Sequence, residues 1–138
     1  MQAGSGQEHR VLVIDDESIV CKTLKRALGR PSFTVEVFED PVLALKRLEQ
    51  QRFDIVVTDV VMGDVDGIRI LGAALGKDPQ TKVIIMTAFA CMDLAREAMA
   101  KGAFDFIAKP FTAEAIRAIV DKAAEALRGD PNGENQTP

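Results

Sequence analysis

Val11-Leu12-Val13-Ile14-Asp15-Asp16 is a run of four apolar residues that ends on two carboxylates. The pattern recurs three times: Ile55-Val56-Val57-Thr58 ends on Asp59, Val83-Ile84-Ile85-Met86 on Thr87, and the stretch from Phe104 to Ala108 on Lys109-Pro110. Short, continuously apolar runs separated by helical stretches are what strands of a parallel sheet look like when both faces are covered. Parallel strands point the same way, so their carboxyl ends share one edge, where open α/β sheets bind ligands. Three carboxylates, a hydroxyl and an ammonium are therefore expected at one edge. That set suits a phosphoryl group and a divalent cation.

Between the runs the spacing is helical. Asp16-Glu17-Ser18 has the acidic and capping character of a helix start. Val20, Leu24, Ala27 and Leu28 then share one face until Gly29-Arg30-Pro31 stops the helix. Alternation over 34–38 predicts an edge strand. Asp40-Pro41 is an N-cap followed by proline at the first helical position, with Leu43, Ala44 and Leu48 as the apolar face. A turn-rich loop over 62–67 leads to a short helix bearing Ile68, Leu71 and Leu75. Residues 93–101 form another helix, and the last opens at Thr112 and carries Ile116, Ile119, Val120, Ala123 and Leu127 before Gly129. Right-handed crossovers turn this alternation into an α/β fold, a doubly wound five-stranded parallel sheet with helices on both faces. Residues 1–8 read as a flexible N-terminus, 9–128 as the folded domain, and 129–138 as a disordered tail or the start of a linker.

A chain of 138 residues is one domain's worth, and 47% hydrophobic with 28% charged residues is ordinary for a globular protein. The net charge of -4, with lysines and arginines scattered, argues against direct nucleic acid binding by this segment. No apolar stretch is long enough to span a bilayer, and residues 1–10 lack the apolar centre of a signal peptide. A cytoplasmic location without membrane association is expected. Cys21 and Cys91 have no metal-ligand spacing and read as small, partly buried thiols rather than a disulfide. His9, the only histidine, precedes the first run and reads as a solvated terminal residue, which sets histidine acid-base chemistry aside.

Two like unit charges about 4–5 Å apart repel by roughly 3–4 kcal/mol at an effective dielectric near 20. The acidic edge needs counter-charge. Lys109 offers one, and Mg2+ a second, because it prefers hard oxygen ligands and is commonly held by one or two carboxylates plus a phosphate. Taken alone, Asp15-Asp16 reads equally well as an acidic helix start and Asp59 as the cap of the following loop. The coincidence of four strand ends favours a site. Asp59 is the best nucleophile there, since its run is expected at the centre of the edge and a turn-rich loop leaves its approach open. An ionised carboxylate attacks phosphorus without a general base, giving an acyl phosphate. Lys109 would pair with one phosphoryl oxygen and the Thr87 hydroxyl would donate to another.

Asp15-Asp16, the segment Asp59-Val60-Val61-Met62-Gly63-Asp64-Val65-Asp66-Gly67, Thr87-Ala88 and Lys109-Pro110-Phe111 resemble the signature of the response regulator receiver domain of bacterial two-component systems. Met86-Thr87-Ala88-Phe89 and the segment 102–111 are similar to receivers attached to transcription activators of the nitrogen-regulatory type. The resemblance implies the flavodoxin-like strand order 2-1-3-4-5, and makes 9–128 a receiver domain. It implies that Asp59 is the phosphoacceptor, with a phosphohistidine of a sensor histidine kinase or phosphotransfer protein as donor. Asp16, Asp59 and the Val61 backbone carbonyl would hold Mg2+ directly, Asp15 mainly through water, and the Lys109–Pro110 peptide would be cis. Thr87 would move toward the phosphoryl group and Phe106 turn inward, remodelling the surface of the fourth helix, fifth strand and fifth helix. That surface is the expected face for a homodimer or an output domain. Phe106 reads equally well as a core aromatic. Such a domain is not an enzyme in the usual sense, although it assists its own phosphoryl transfer and autodephosphorylation.

Two departures from the family pattern stand out. Gly63 occupies a position usually held by proline, which predicts a less rigid loop after Asp59. Val61 and Phe89 are apolar where many receivers carry polar residues that position the attacking water, which predicts a long-lived phosphoryl group. Among competing readings, an aspartate-nucleophile phosphatase of the haloacid dehalogenase type ends its first strand in Asp-x-Asp, whereas Asp15 is followed by Asp16-Glu17. A flavin carrier would need a phosphate-holding loop after the first strand, and none is present. A receiver acting only as an interaction module would not need the complete acid, threonine and lysine set.

Overall fold

A computed structural model describes residues 8–129. The strands are β1 (His9–Ile14), β2 (Phe33–Phe38), β3 (Ile55–Asp59), β4 (Lys82–Thr87) and β5 (Asp105–Ala108). The helices are α1 (Ser18–Leu28), α2 (Pro41–Gln50), α3 (Gly67–Lys77), α4 (Met92–Ala100) and α5 (Ala113–Gly129), with a 3-10 turn at Phe89–Cys91 before α4. All strand pairs are parallel and the order is β2-β1-β3-β4-β5, which puts β3 at the centre. Residues 1–7 and 130–138, which hold most of the expected flexible start and tail, lie outside the described residues.

Successive strand residues face opposite sides, so each run divides between two cores. Leu12, Ile14, Val56, Val83 and Ile85 pack with Ala44, Leu48, Ile70, Leu71, Ala74 and Ala98 of α2, α3 and α4. Val11, Val13, Ile55, Val57, Ile84 and Met86 pack with Leu24, Leu28, Ile116, Val120 and Ala123 of α1 and α5. This double burial is why the strands read as unbroken apolar runs. The edge strand β2 is only partly covered and alternates instead.

Helix starts follow local chemistry. Asp40 Oδ1 accepts from the Val42 N–H at 2.9 Å, Asp66 Oδ1 from Arg69 at 3.0 Å and Thr112 Oγ1 from Ala115 at 3.0 Å, each cap being worth about 1 kcal/mol. The expected apolar faces of α1 and α2 pack against the core except at Leu43. Leu43 is exposed while Ala44 and Leu48 face the core, and in α1 the buried stripe is Cys21, Leu24, Ala27 and Leu28 with Val20 at its margin. Gly67 is fixed by close approach: a Cβ there would lie 2.5 Å from the Asp59 carbonyl oxygen and 2.8 Å from Val60 Cα. Its N–H donates to the Val60 carbonyl at 2.9 Å, so the start of α3 is pressed against the end of β3.

His9 corrects the sequence reading. It is the first residue of β1, 6% exposed, because β2 extends back to Phe33 and pairs with it. Its N–H donates to the Ser32 carbonyl at 2.9 Å, and its ring meets Phe33 edge-on with centroids 5.8 Å apart. The Arg30 guanidinium lies over the same Phe33 ring. His9 Nδ1 has no hydrogen-bond partner among the described residues. Burial lowers its pKa below 6.5, opposed by Asp54 and assisted by Arg128.

Two measurements test this packing. The unfolded chain binds a proton at His9 before the folded one does, so stability is full above the unfolded pKa of 6.5 and falls as pH drops through the lower folded value. Thermal unfolding from pH 7 to about pH 5, above the main carboxylate range, should show a loss that His9→Gln removes; equal losses in both proteins would exclude His9. In α3, Gly72 and Gly76 have open space where a Cβ would go. Each Gly→Ala change there should raise stability by about 0.5–1 kcal/mol in urea unfolding, whereas Gly67→Ala should lower it.

Candidate functional site

Strand order assembles the expected residues. Ile14 pairs with Thr58, Asp59 with Met86, and Thr87 with Ala108, so Asp15, Asp16, Asp59 and Lys109 emerge at one edge. Backbone bonds carry the ladder beyond the strand ends: Asp15 N–H to the Phe38 carbonyl at 3.1 Å, Val60 to Met86 at 3.1 Å and Lys109 to Thr87 at 2.8 Å. The Lys109–Pro110 peptide is cis.

Lys109 Nζ donates to Asp15 Oδ2 at 2.7 Å and to Asp59 Oδ2 at 2.9 Å, and lies 3.5 Å from Glu17 Oε1. The second Asp15 oxygen accepts from the Glu17 N–H at 2.8 Å, and Asp59 Oδ1 from the Val61 N–H at 3.3 Å. Asp15 is fully buried; burial raises its pKa against the lowering effect of Lys109 and the Glu17 N–H. For Lys109, burial alone would lower the pKa, but the hydrogen bonds to Asp15 and Asp59 outweigh it and hold the ammonium protonated well above the ordinary lysine range. The Cys21 thiol is bonded to the Asp15 carbonyl at 3.2 Å and pushed up to about 11 by burial and then by Asp15. It is a protonated core group and not a nucleophile.

Carboxylate oxygens of Asp15, Asp16 and Asp59 lie within 4.8 Å of one another. Three hard oxygen donors with no nitrogen or sulfur among them fit a magnesium-class cation. Both oxygens of Asp15 are already engaged, whereas Asp16 is exposed to solvent.

A cavity of about 630 Å3 opens over Asp59, bounded by Asp16, Glu17, Val61, Ala88, Cys91 and Lys109. Phe89 is not in its wall; it is 83% exposed on the 3-10 turn, and Cys91 lines the cavity instead. Thr87 is buried at the end of β4, with its hydroxyl donating to the Ala88 carbonyl at 3.0 Å. Phe106 is half-buried against the α2–α4 core. Gly63 has φ +55°, a conformation that a proline ring, locked near −65°, excludes. Glu17 and Cys91 were missed as cavity residues. Glu17 had a signal, its position directly after Asp15-Asp16, but that position also fits a helix start; Cys91 had none. A second, mainly apolar cavity of about 460 Å3, lined by Ile19, Val20, Leu24, Pro110 and Phe111, shares Glu17 and Lys109 with the first.

The family described as response regulator receiver domain matches residues 11–121. The DNA-binding transcriptional regulator NtrC of Proteus hauseri is 34% identical over 122 residues, covering 88% of this chain and 26% of the relative. The chain thus spans about a quarter of that regulator's length. The chemotaxis protein CheY of Listeria monocytogenes is 32% identical over 117 residues, covering 84% of this chain and 98% of the relative. Among solved structures, a response regulator receiver domain protein from Clostridium thermocellum superimposes with a TM-score of 0.80 at 30% identity, covering 87% of this chain and 97% of that one. Among the described residues, no helix is long and apolar enough to cross a membrane.

The Lys109 bridge makes a measurable demand on the fold. Lys109→Met leaves the buried Asp15 without its cation, so stability at pH 7 in chelator should fall by roughly 2–4 kcal/mol, somewhat less than for a fully enclosed pair. Added Mg2+ should recover more stability in the variant than in the wild type. Equal unfolding midpoints in chelator would show that Asp15 does not need the bridge.

Proposed function

The chain belongs to the response regulator receiver domain family, and from that premise we propose that Asp59 accepts a phosphoryl group from a sensor histidine kinase or phosphotransfer protein. Receiver domains are signalling domains rather than enzymes in the usual sense. The observation that carries the assignment is the Lys109 ammonium bridging Asp59 and the buried Asp15 at the end of the central strand. An Asp59 oxygen attacks phosphorus in line, and the leaving imidazole departs with the bonding pair. Lys109 then follows the charge from the Asp59 carboxylate to a phosphoryl oxygen, and Asp15 keeps it within reach. Asp16, Asp59 and the Val61 backbone carbonyl, with Asp15 through water, would hold Mg2+, which would further neutralise phosphoryl charge.

Thr87 leaves its bond to the Ala88 carbonyl to donate to the phosphoryl group, and Phe106 moves further into the α2–α4 core. The surface of α4, β5 and α5 then changes and meets a second copy or an output domain. A role in transcription regulation is supported by NtrC-type relatives, of which residues 9–128 would be the receiver part. The mainly apolar cavity beside Lys109 supports docking of a protein donor. A cytoplasmic location is part of this reading. The Val61 side chain, in the cavity wall, offers no hydrogen bond to an attacking water, which favours slow autodephosphorylation; Phe89 would add to this only by covering the opening.

Incubation with acetyl phosphate and Mg2+ should add one phosphate by intact-mass spectrometry, and none to Asp59→Asn. A mass shift that persists in Asp59→Asn would overturn the assignment.

A further inference from the structure

We propose that Glu17 selects phosphodonors by charge, slowing transfer to Asp59 from small, multiply charged anions. The inference rests on Asp59 being the phosphoacceptor. Glu17 precedes α1 as its N-cap, yet its side chain makes no capping hydrogen bond. Its backbone N–H is tied to Asp15 at 2.8 Å, which fixes the residue beside the site, while its carboxylate is 62% exposed and 3.5 Å from Lys109. The helix does not need this carboxylate, and an exposed ion pair is worth at most about 1 kcal/mol.

The side chain nevertheless lines the cavity through which a donor reaches Asp59. Around that cavity stand Asp15, Asp16, Asp59 and Glu17 against one ammonium, a net charge of -3 counted from these five residues. A divalent cation reduces this to -1, and Glu17 is the carboxylate left over. It opposes an incoming anion directly, and it competes for the ammonium that the phosphoryl group needs. The other lining residues, among them Val61, Ala88 and Cys91, carry no positive charge besides Lys109 to offset it.

Two donors of different charge isolate the effect. Acetyl phosphate is doubly negative at neutral pH: the Asp59–phosphorus bond forms as the bond to acetate breaks, and acetate leaves with the pair. Phosphoramidate is a zwitterion of net single negative charge: its P–N bond breaks and ammonia leaves with the pair, its third hydrogen already in place. Initial rates for wild type, Glu17→Gln and Glu17→Asp are measured by intact mass at saturating Mg2+ and low ionic strength. Glu17→Gln should accelerate transfer from acetyl phosphate by about 3- to 10-fold and from phosphoramidate by about the square root of that factor, with the difference shrinking as salt is added. Glu17→Asp, which keeps the charge, should retain the wild-type donor ratio. Equal acceleration with both donors, or none with either, overturns the inference and leaves Asp59 as acceptor. Absence of phosphate on wild type and variants alike overturns both readings.

Discussion

One ammonium held between two carboxylates fixes the architecture of the functional edge. Lys109 follows β5, Asp59 ends β3 and Asp15 follows β1, so the lysine side chain reaches across the end of β4 to meet them. The crossing is open because β4 ends in Thr87 and is followed by Ala88, small residues over which a long side chain can lie. Removing Asp15 from water costs several kcal/mol unless its charge is met, and the bridge meets it. Three strands of the sheet are thereby tied at their carboxyl ends by a contact that has no role in the apolar core. The contact is also the one that the proposed phosphoryl transfer to Asp59 would rearrange.

The rest of the fold keeps that edge in register. Parallel pairing fixes which residue stands last on each strand, and a slip of one residue would exchange the two cores as well as move the site. The buried turn at Gly67 sets where α3 begins and therefore how the loop from Val60 to Asp66 leaves the strand. Gly63 gives that loop a left-handed residue at its exposed tip.

How much could be read in advance depended on whether a feature was local. The apolar runs and their polar ends were legible because burial on both faces leaves an unbroken signature in the residues themselves. The order of the strands came from family resemblance, since nothing in a run says which neighbour it will pair with. His9 was misread for the same reason: its burial is caused by Phe33, which reaches it only through the β1–β2 register. Leu43 was misplaced because helical spacing defines a stripe but not its rotation against the sheet. Phe89 was misplaced because a 3-10 turn, unmarked in composition, stands between β4 and α4 and leaves it exposed.

The division of each strand between two cores makes the sheet a partition with few shared moving parts. Ile85 and Phe106 belong to the layer of α2, α3 and α4, while their neighbours Ile84, Met86 and Ile107 belong to that of α1 and α5. Among the described residues no core side chain belongs to both layers, so a rearrangement on one side would reach the other chiefly through the hydrogen-bonded backbone. The wall formed by α1, Pro110 and Phe111 is built on the layer that Phe106 does not enter, so a shift of Phe106 would reach a protein arriving there only through the sheet.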